Sequence, residues 1–216
     1  MQDAQLQSQP PPDPDADSSE KKLHIAGAGT TGMAILIVSL SVLFIASIVA
    51  YIIIRTQMEL RFRAAGLPES WPPPGLPPIP RTLWLSTAVI LLSSITIQRA
   101  LNAVRHDHRK ALLRNLLITF SLGLLFLALQ TMNWCEFYFA IKPGTQFAGP
   151  YLGMFYTLTG LHAAHVLGGL IPLAIVTARA FNEKYSRNFH PGIRYSTVYW
   201  HFLDAIWLAL FFIIYF

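Results

Sequence analysis

The segment GMAILIVSLSVLFIASIVAYIII, residues 32–54, is a continuous apolar run without a charged residue. At about 1.5 Å of rise per residue, a helix of this length crosses a hydrocarbon core of roughly 30 Å. A helix is required there, because an isolated segment in lipid must satisfy its own backbone hydrogen bonds. The run therefore predicts a transmembrane helix and places the chain among integral membrane proteins.

Four more apolar runs follow, separated by segments that contain charges, prolines or both. The composition agrees, since 53% of the 216 residues are hydrophobic and only 12% are charged, about half the charged fraction of a soluble domain. We therefore predict an all-α, polytopic membrane helix bundle of about five transmembrane helices, with spans at about 32–54, 82–100, 115–134, 151–178 and 197–216.

Two polar segments flank the first span. Residues 1–28 are polar and proline-rich, and we expect a disordered tail there, because such a composition has little to bury. The transmembrane domain then covers residues 29–216. The loop after the first span, 55–81, holds seven of the 15 prolines. Its stretch WPPPGLPPIP, residues 71–80, cannot be helical, because proline removes amide donors and restricts the residue before it.

The distribution of basic residues predicts the orientation in the membrane. With the N-terminus inside and the C-terminus outside, eleven of the 16 basic residues fall in inside segments. This N-in/C-out arrangement satisfies the positive-inside rule, although the cluster Arg55, Arg61 and Arg63 opposes it. No basic stripe suited to nucleic acid is present.

The fourth span carries small residues at helical spacing. Gly160, Ala164 and Gly168 recur every four residues and therefore share one helix face. Small residues at this spacing let a second helix approach closely. We predict a helix-packing face.

The same span contains two histidines and ends on a cation. His162 and His165 lie three residues apart, roughly 60° around the helix, so two imidazoles could share a metal. Further intramembrane ligands are limited to His201 and Asp204, and we expect interhelical hydrogen bonds or lipid headgroup contacts instead. Arg179 ends the span where it can meet a lipid phosphate.

Polar residues in the third and fifth spans predict interhelical contacts. In YWHFLDAIW, residues 199–207, the side chains of Trp200, Asp204 and Trp207 share nearly one face, with His201 about 60° away. A carboxylate within a span is costly, so Asp204 should face protein as a structural anchor. In the third span, Gln130 and Asn133 lie one turn apart and should either join helices or line a polar crevice.

Sequence motifs for several chemistries are absent. The chain has one cysteine and seven histidines, and it contains no CxxCH, no cysteine pair for dinuclear copper, no phosphate-binding loop and no nucleophile with its base. No catalytic centre is therefore predicted.

The order and spacing of several short motifs resemble subunit III of cytochrome c oxidase and its quinol-oxidase relatives. The resemblance covers nearly everything after about residue 30, and the short form that lacks the first two of the family's seven helices fits best. The matching motifs are GM at 32–33, WPP at 71–73, LQ at 129–130, TGLHAAHVLGG at 159–169 followed by Arg179, and YWHFLDAIW at 199–207.

This resemblance implies a non-catalytic subunit in a bacterial inner (plasma) membrane. Haem and copper would then belong to partner subunits, with none in this chain. Oxidase subunits I and II, mainly subunit I, would be the protein partners, and phospholipids would bind at Arg179, His162 and His165. His201 and Asp204 would form part of the last helix's structural core. The subunit would stabilise the catalytic subunit and support proton uptake in an oxidase fed by cytochrome c, the commoner donor in the family.

Two departures and three alternatives qualify these implications. Where the family has a buried glutamate in its first retained helix, this chain has Leu40, or Ser41 if the register slips by one; Asn133 also replaces a frequent glutamate. The absent helices form one wall of the family's lipid cleft, so lipid sites here would need a wall from another subunit. The alternatives are an accessory subunit of a nitric oxide reductase, an independent transporter and a b-type haem protein.

Overall fold

The computed structural model is all-helical in the part of the chain that it describes. That part comprises residues 14–66, 81–140, 148–182, 185, 187 and 190–215, with only the backbone described for 14–28 and 148. All five helices are long and apolar enough to cross a membrane, which confirms the predicted fold class. They are α1 Pro14–Ala64, α2 Thr82–Arg105, α3 Arg109–Ala140, α4 Ala148–Phe181 and α5 Pro191–Tyr215.

The first helix is longer than the predicted span at both ends. It begins at Pro14, so residues 14–28 are helical where the sequence predicts a disordered tail. Proline suits a first helical turn, and the glutamate, lysines and leucine that follow are good helix formers, which extend an existing helix at low cost. Residues 1–13 lie outside the described part of the chain.

At its other end, α1 continues past Ile54, where the sequence predicts the loop to begin. An Arg55–Glu59 ion pair of 3.1 Å supports the additional turns. The helix ends at Ala64, and Gly66, two residues later, has a φ of 67°, the left-handed conformation that commonly follows a helix end. The proline-rich stretch 71–80 lies outside the described residues.

Helices α2 to α5 form an antiparallel four-helix bundle. Helix α1 packs against the outside of this bundle, where it contacts α4 and α5. A short turn at His106–His108 joins α2 to α3, with Asp107 at a φ of 57°. The interior of the bundle is apolar around the fully buried rings of Trp200 and Trp207.

Contacts at several points along α1 hold it to the bundle. Phe44, Tyr51, Met58 and Phe62 share a buried apolar cluster with side chains of α3, α4 and α5. Other contacts include the 3.0 Å hydrogen bond between the Thr30 and Tyr195 hydroxyls, the Phe44 ring centroid 5.2 Å from that of His165, and a 3.4 Å hydrogen bond from Arg55 Nη1 to the Ile213 carbonyl.

Candidate functional site

The two buried tryptophans of α5 bond to hydroxyl groups of α2. Trp200 Nε1 donates to Ser93 Oγ at 2.8 Å, and Trp207 Nε1 donates to Thr87 Oγ1 at 3.0 Å. Both hydroxyls also bond carbonyls of their own helix turn. The polar residues that make α2 the least apolar span thus face inward and satisfy the indole donors, which would otherwise be costly to bury.

His201 extends this α2–α5 contact on its half-buried side. Its Nδ1 shares a 2.7 Å hydrogen bond with Ser94 Oγ, and its Nε2 lies 3.1 Å from Gln98 Oε1. Both ring nitrogens therefore have partners, as expected for a histidine that joins two helices.

Asp204 lies between the two tryptophans on the same buried face and is only 4% exposed. The Ser94 hydroxyl also faces its carboxyl group, but neither oxygen makes a hydrogen bond of normal geometry to the described residues. Within the described part of the chain, Asp204 forms no salt bridge. This placement agrees with the expectation that Asp204 faces protein.

The polar residues of α3 divide into two environments. The Thr82 hydroxyl donates to Asn133 Oδ1 and also lies 3.2 Å from Glu136 Oε2, so Asn133 joins α3 to the start of α2. Gln130 is fully buried, and neither amide atom has a partner among the described residues. Asn133 thus fits the interhelical prediction, whereas Gln130 does not make such a bond.

His162 lies at the centre of an aromatic cluster. It is fully buried, and its ring centroid lies 5.0 Å from Trp207, 5.7 Å from Phe126 and 6.3 Å from Phe44. A side chain in this position cannot reach a lipid headgroup, so the lipid contact that the resemblance implied for His162 is not what the structure has. The His162 ring points inward because its face of α4 meets α3 and α5.

His165 points towards α1 instead. Its Nδ1 shares a 2.7 Å hydrogen bond with the Leu161 carbonyl of its own helix, and its ring packs on Phe44. The two rings therefore share Phe44 as a neighbour, but His162 also packs against α3 and α5, whereas His165 does not. Among the described residues, no group of three or more histidine, cysteine, aspartate or glutamate side chains could hold a metal ion.

Among the described residues, the small-residue face of α4 makes little contact with other helices. A Cβ added at Gly160 would meet only Trp134, at 3.9 Å, and one added at Gly168 would meet nothing within 4 Å. Ala164 between them is exposed. This face is thus open to lipid or to another subunit.

Two other glycines, which sequence reasoning missed, permit close contacts between helices. A Cβ on Gly123 would lie 2.9 Å from Leu170 Cδ2 and 3.0 Å from Trp200 Cη2, and one on Gly169 would lie 2.8 Å from Tyr199. Neither belongs to a regular small-residue repeat, so spacing offered no signal for them.

A groove lies at the side of the bundle, between α1, α4 and α5, and Arg179 is one of its lining residues. We call it the Arg179 groove; its volume is about 450 Å³, within the range of small-molecule sites. One end is polar and the other apolar. The polar end carries Arg179, Tyr185, Tyr195 and Ser196, and the apolar end carries Met33, Leu36, Pro172 and Ile175.

The polar end combines a cation with a phenol. Tyr185 lies in the connection between α4 and α5; burial raises the pKa of its hydroxyl, and the nearby Arg179 charge opposes that rise in part. The phenol therefore stays protonated at neutral pH, and its oxygen is buried without a hydrogen bond to the described residues. Helix α1 forms one side of this groove through Met33 and Leu36.

Together, the fold and these contacts define an integral membrane protein with a helix bundle joined by interior polar bonds and an amphipathic groove at its side. The family model for cytochrome c oxidase subunit III matches residues 19–216. The chain therefore belongs to the cytochrome c oxidase subunit III family.

Individual relatives agree with this family. The chain is similar to cytochrome c oxidase subunit 3 of Xenopus laevis, with 36% identity over 151 residues, 69% of this chain and 56% of the relative. The proteins of the same name from Cyprinus carpio and Dugong dugon are 35% and 36% identical over 147 residues, covering 67% of this chain and 54% of each relative. The chain thus spans about half the length of the curated relatives it matches.

Proposed function

We propose that this chain is the non-catalytic subunit III of a proton-pumping haem-copper terminal oxidase, placed N-in/C-out in a bacterial plasma membrane. The match of the family model to residues 19–216 carries the proposal. The name of the similar relatives supports cytochrome c as the donor to the complex. Haem and copper belong to the partner subunits, and this chain contributes stability to the catalytic subunit and lipid-supported proton uptake.

Isolation from the native membrane tests this function. The chain is captured in mild detergent, and a reduced-minus-oxidised visible spectrum is recorded for the product and for the chain purified alone. We expect haem bands and two larger subunits in the first sample only. Haem that stays with the isolated chain would contradict the proposal, as would the absence of any haem-containing partner. Haem types of a nitric oxide reductase would assign the chain to that enzyme.

The part of the small-residue face at Gly160 and Ala164 is the proposed contact for the catalytic subunit, whereas Gly168 lines the Arg179 groove. Its small side chains leave room for close approach by a partner helix. In lipid, where the hydrophobic effect does not drive helix association, dispersion contacts at such a face stabilise the pair. The interior residues Gln130, Asn133, Trp200, His201, Asp204 and Trp207 have a structural role in this proposal, since they join or fill the bundle.

Replacing Ala164 with leucine tests this contact face. Overpacking a close contact costs about 1–3 kcal/mol, so recovery of the complex should fall about tenfold. Co-purification of oxidase subunits with the tagged chain is the measurement. Ala128→Leu, also at an exposed alanine but on α3, is the matched control and should not change recovery. Equal recovery of both variants would contradict the assignment.

The Arg179 groove is the proposed site for a phospholipid with an anionic headgroup. The guanidinium of Arg179 can donate to a phosphate, and one acyl chain can lie along Met33 and Leu36. Of the three residues implied for lipid contact, only Arg179 keeps this role in the proposal. His162 lies inside the bundle, and His165 packs on Phe44 of α1.

Replacing Arg179 with glutamine should weaken binding of phosphatidylglycerol to the delipidated full chain about tenfold, because a hydrogen bond to a charged group contributes about 1.5–3 kcal/mol. Native mass spectrometry during lipid titration measures the change. Arg194→Gln removes an exposed cation near the same membrane boundary that does not line the groove. Equal weakening by both variants would indicate general charge attraction and would count against a site.

A further inference from the structure

Two buried polar side chains face the interior of the bundle from α3 and α4. Gln130 of α3 and His162 of α4 are both 0% exposed. Neither amide atom of Gln130 and neither ring nitrogen of His162 has a hydrogen-bond partner among the described residues. This arrangement requires an explanation, because native proteins provide hydrogen bonds for nearly all of their buried polar groups.

The contacts between α3 and α4 bring the two side chains to the same level of the bundle. Phe126 lies one turn before Gln130, and its ring centroid is 5.7 Å from that of His162. Trp134 lies one turn after Gln130 and donates to Thr159 Oγ1 at 3.0 Å. Thr159 in turn lies one turn before His162. Gln130 therefore meets α4 between Thr159 and His162.

The hydroxyl groups next to this pair have no hydrogen left to donate. The Thr159 hydroxyl donates to a carbonyl of its own helix at 2.6 Å. The Thr87 hydroxyl does the same at 2.8 Å, and it accepts from Trp207, whose ring lies 5.0 Å from the His162 ring. A hydroxyl with its single hydrogen committed can only accept, so neither group can donate to Gln130 or His162.

The unpartnered atoms require a small ligand that both donates and accepts. The amide oxygen of Gln130 and one nitrogen of a neutral imidazole need donors, whereas the amide nitrogen and the imidazole N–H need acceptors. A bound anion has no hydrogen to donate, and a metal ion has no lone pair with which to accept. Water serves both roles and makes about three hydrogen bonds when it is buried.

Polar residues continue from this level to the surface of the bundle. Asn133 lies one turn after Gln130, is 0% exposed and has an unpartnered Nδ2 atom. Its Oδ1 atom accepts from the Thr82 hydroxyl, which lies 3.2 Å from Oε2 of the exposed Glu136. These groups offer hydrogen bonds to water along the interior between Glu136 and Gln130.

We propose that Gln130 and His162 form a binding site for internal water between α3 and α4. A water molecule bonded to both side chains joins the two helices through groups that make no direct bond to each other. The site lies inside the bundle, so it is independent of the Arg179 groove and of the face assigned to the catalytic subunit.

X-ray hydroxyl-radical labelling of the full chain in mild detergent, with tandem mass spectrometry, tests this site. The radicals form from bound water itself and oxidise the side chains beside it. We expect oxidation of His162 and Trp207, although both are at most 1% exposed. Gln130→Leu removes a polar partner at similar volume and should abolish this oxidation. Gln98→Leu, the same change at the half-buried glutamine bonded to His201, is the matched control and should leave it unchanged.

Three results of the labelling experiment would overturn the proposal. The first is the absence of oxidation at His162 and Trp207 in the unchanged chain, which would show that the site is dry. The second is oxidation that survives Gln130→Leu, and the third is an equal loss in Gln130→Leu and Gln98→Leu, since neither would depend on the amide of Gln130.

The sign of the stability change gives a second test that does not use radical chemistry. A dry, unpartnered amide is costly to bury, so its replacement by leucine would stabilise the bundle. An amide bonded to water contributes to stability, so Gln130→Leu should raise the equilibrium constant for unfolding about tenfold. Unfolding by added dodecyl sulfate, followed by circular dichroism, measures this change. Gln98→Leu breaks a described hydrogen bond and should change stability in the same direction, whereas a stabilising Gln130→Leu would contradict the site.

Discussion

Replacing Trp207 with alanine is expected to lower the free energy of unfolding by about 3 kcal/mol. The side chain is 1% exposed, packs edge-on to Phe126 at 4.9 Å and donates to Thr87. Its loss leaves a cavity beside His162 and a hydroxyl on α2 without its donor. The value is at the lower end of the range for such truncations, because in lipid the loss comes from packing rather than from transfer out of water.

Trp84→Ala is the matched control for this experiment. Trp84 lies on the outside of α2, is 49% exposed and makes only edge contacts with the rings of Phe211 and Tyr215. Its removal should cost well under half as much as removal of Trp207. Unfolding of the full chain in mild detergent by added dodecyl sulfate, followed by circular dichroism, gives both values. Equal losses would contradict the assignment of Trp207 to the centre of the bundle.

Replacing Gly123 with alanine should destabilise the bundle by about 1–3 kcal/mol, although alanine is the better helix former. The new methyl group would lie 2.9 Å from Leu170 and 3.0 Å from Trp200. The Trp200 ring cannot yield easily, because its indole nitrogen is bonded to Ser93. Helix α3 would have to move away from α4 and α5, which weakens contacts along the whole interface.

The same substitution at Gly153 should have the opposite sign. A Cβ there meets nothing within 4 Å, so Gly153→Ala keeps the propensity gain of up to about 1 kcal/mol. The two variants carry the same chemical change and differ only in surroundings. Measured in the same unfolding assay, a stabilising Gly123→Ala would show that α3 does not approach α4 and α5 as closely as described.

The α5 motif shows what helical periodicity can and cannot predict. The spacing placed Trp200, Asp204 and Trp207 on one face, and all three are buried. Periodicity does not say which helix that face meets. The partners on α2, Ser93 and Thr87, are more than 100 residues away in the chain, and only the packed bundle brings them within hydrogen-bond distance.

The histidines of α4 show the same limit at shorter range. Their three-residue spacing predicts two directions about 60° apart, and that separation was correct. One direction leads into the aromatic cluster of Phe126 and Trp207, and the other leads to Phe44 on α1. The neighbours of each histidine depend on how α4 crosses the other helices. The spacing alone therefore could not predict whether His162 faces lipid or the interior of the bundle.

The sequence by itself determined that this chain is a bundle of five membrane helices. Each apolar run must form a helix, since lipid offers no partner for an open backbone, and each run has the length to cross. Only the tertiary structure decided where the Arg179 groove lies. It depends on the approach of α1 to α4 and α5, which the contact of Phe44 with His165 helps to set. Such contacts join segments that are distant in the chain. They follow from three-dimensional packing and cannot be predicted from local periodicity.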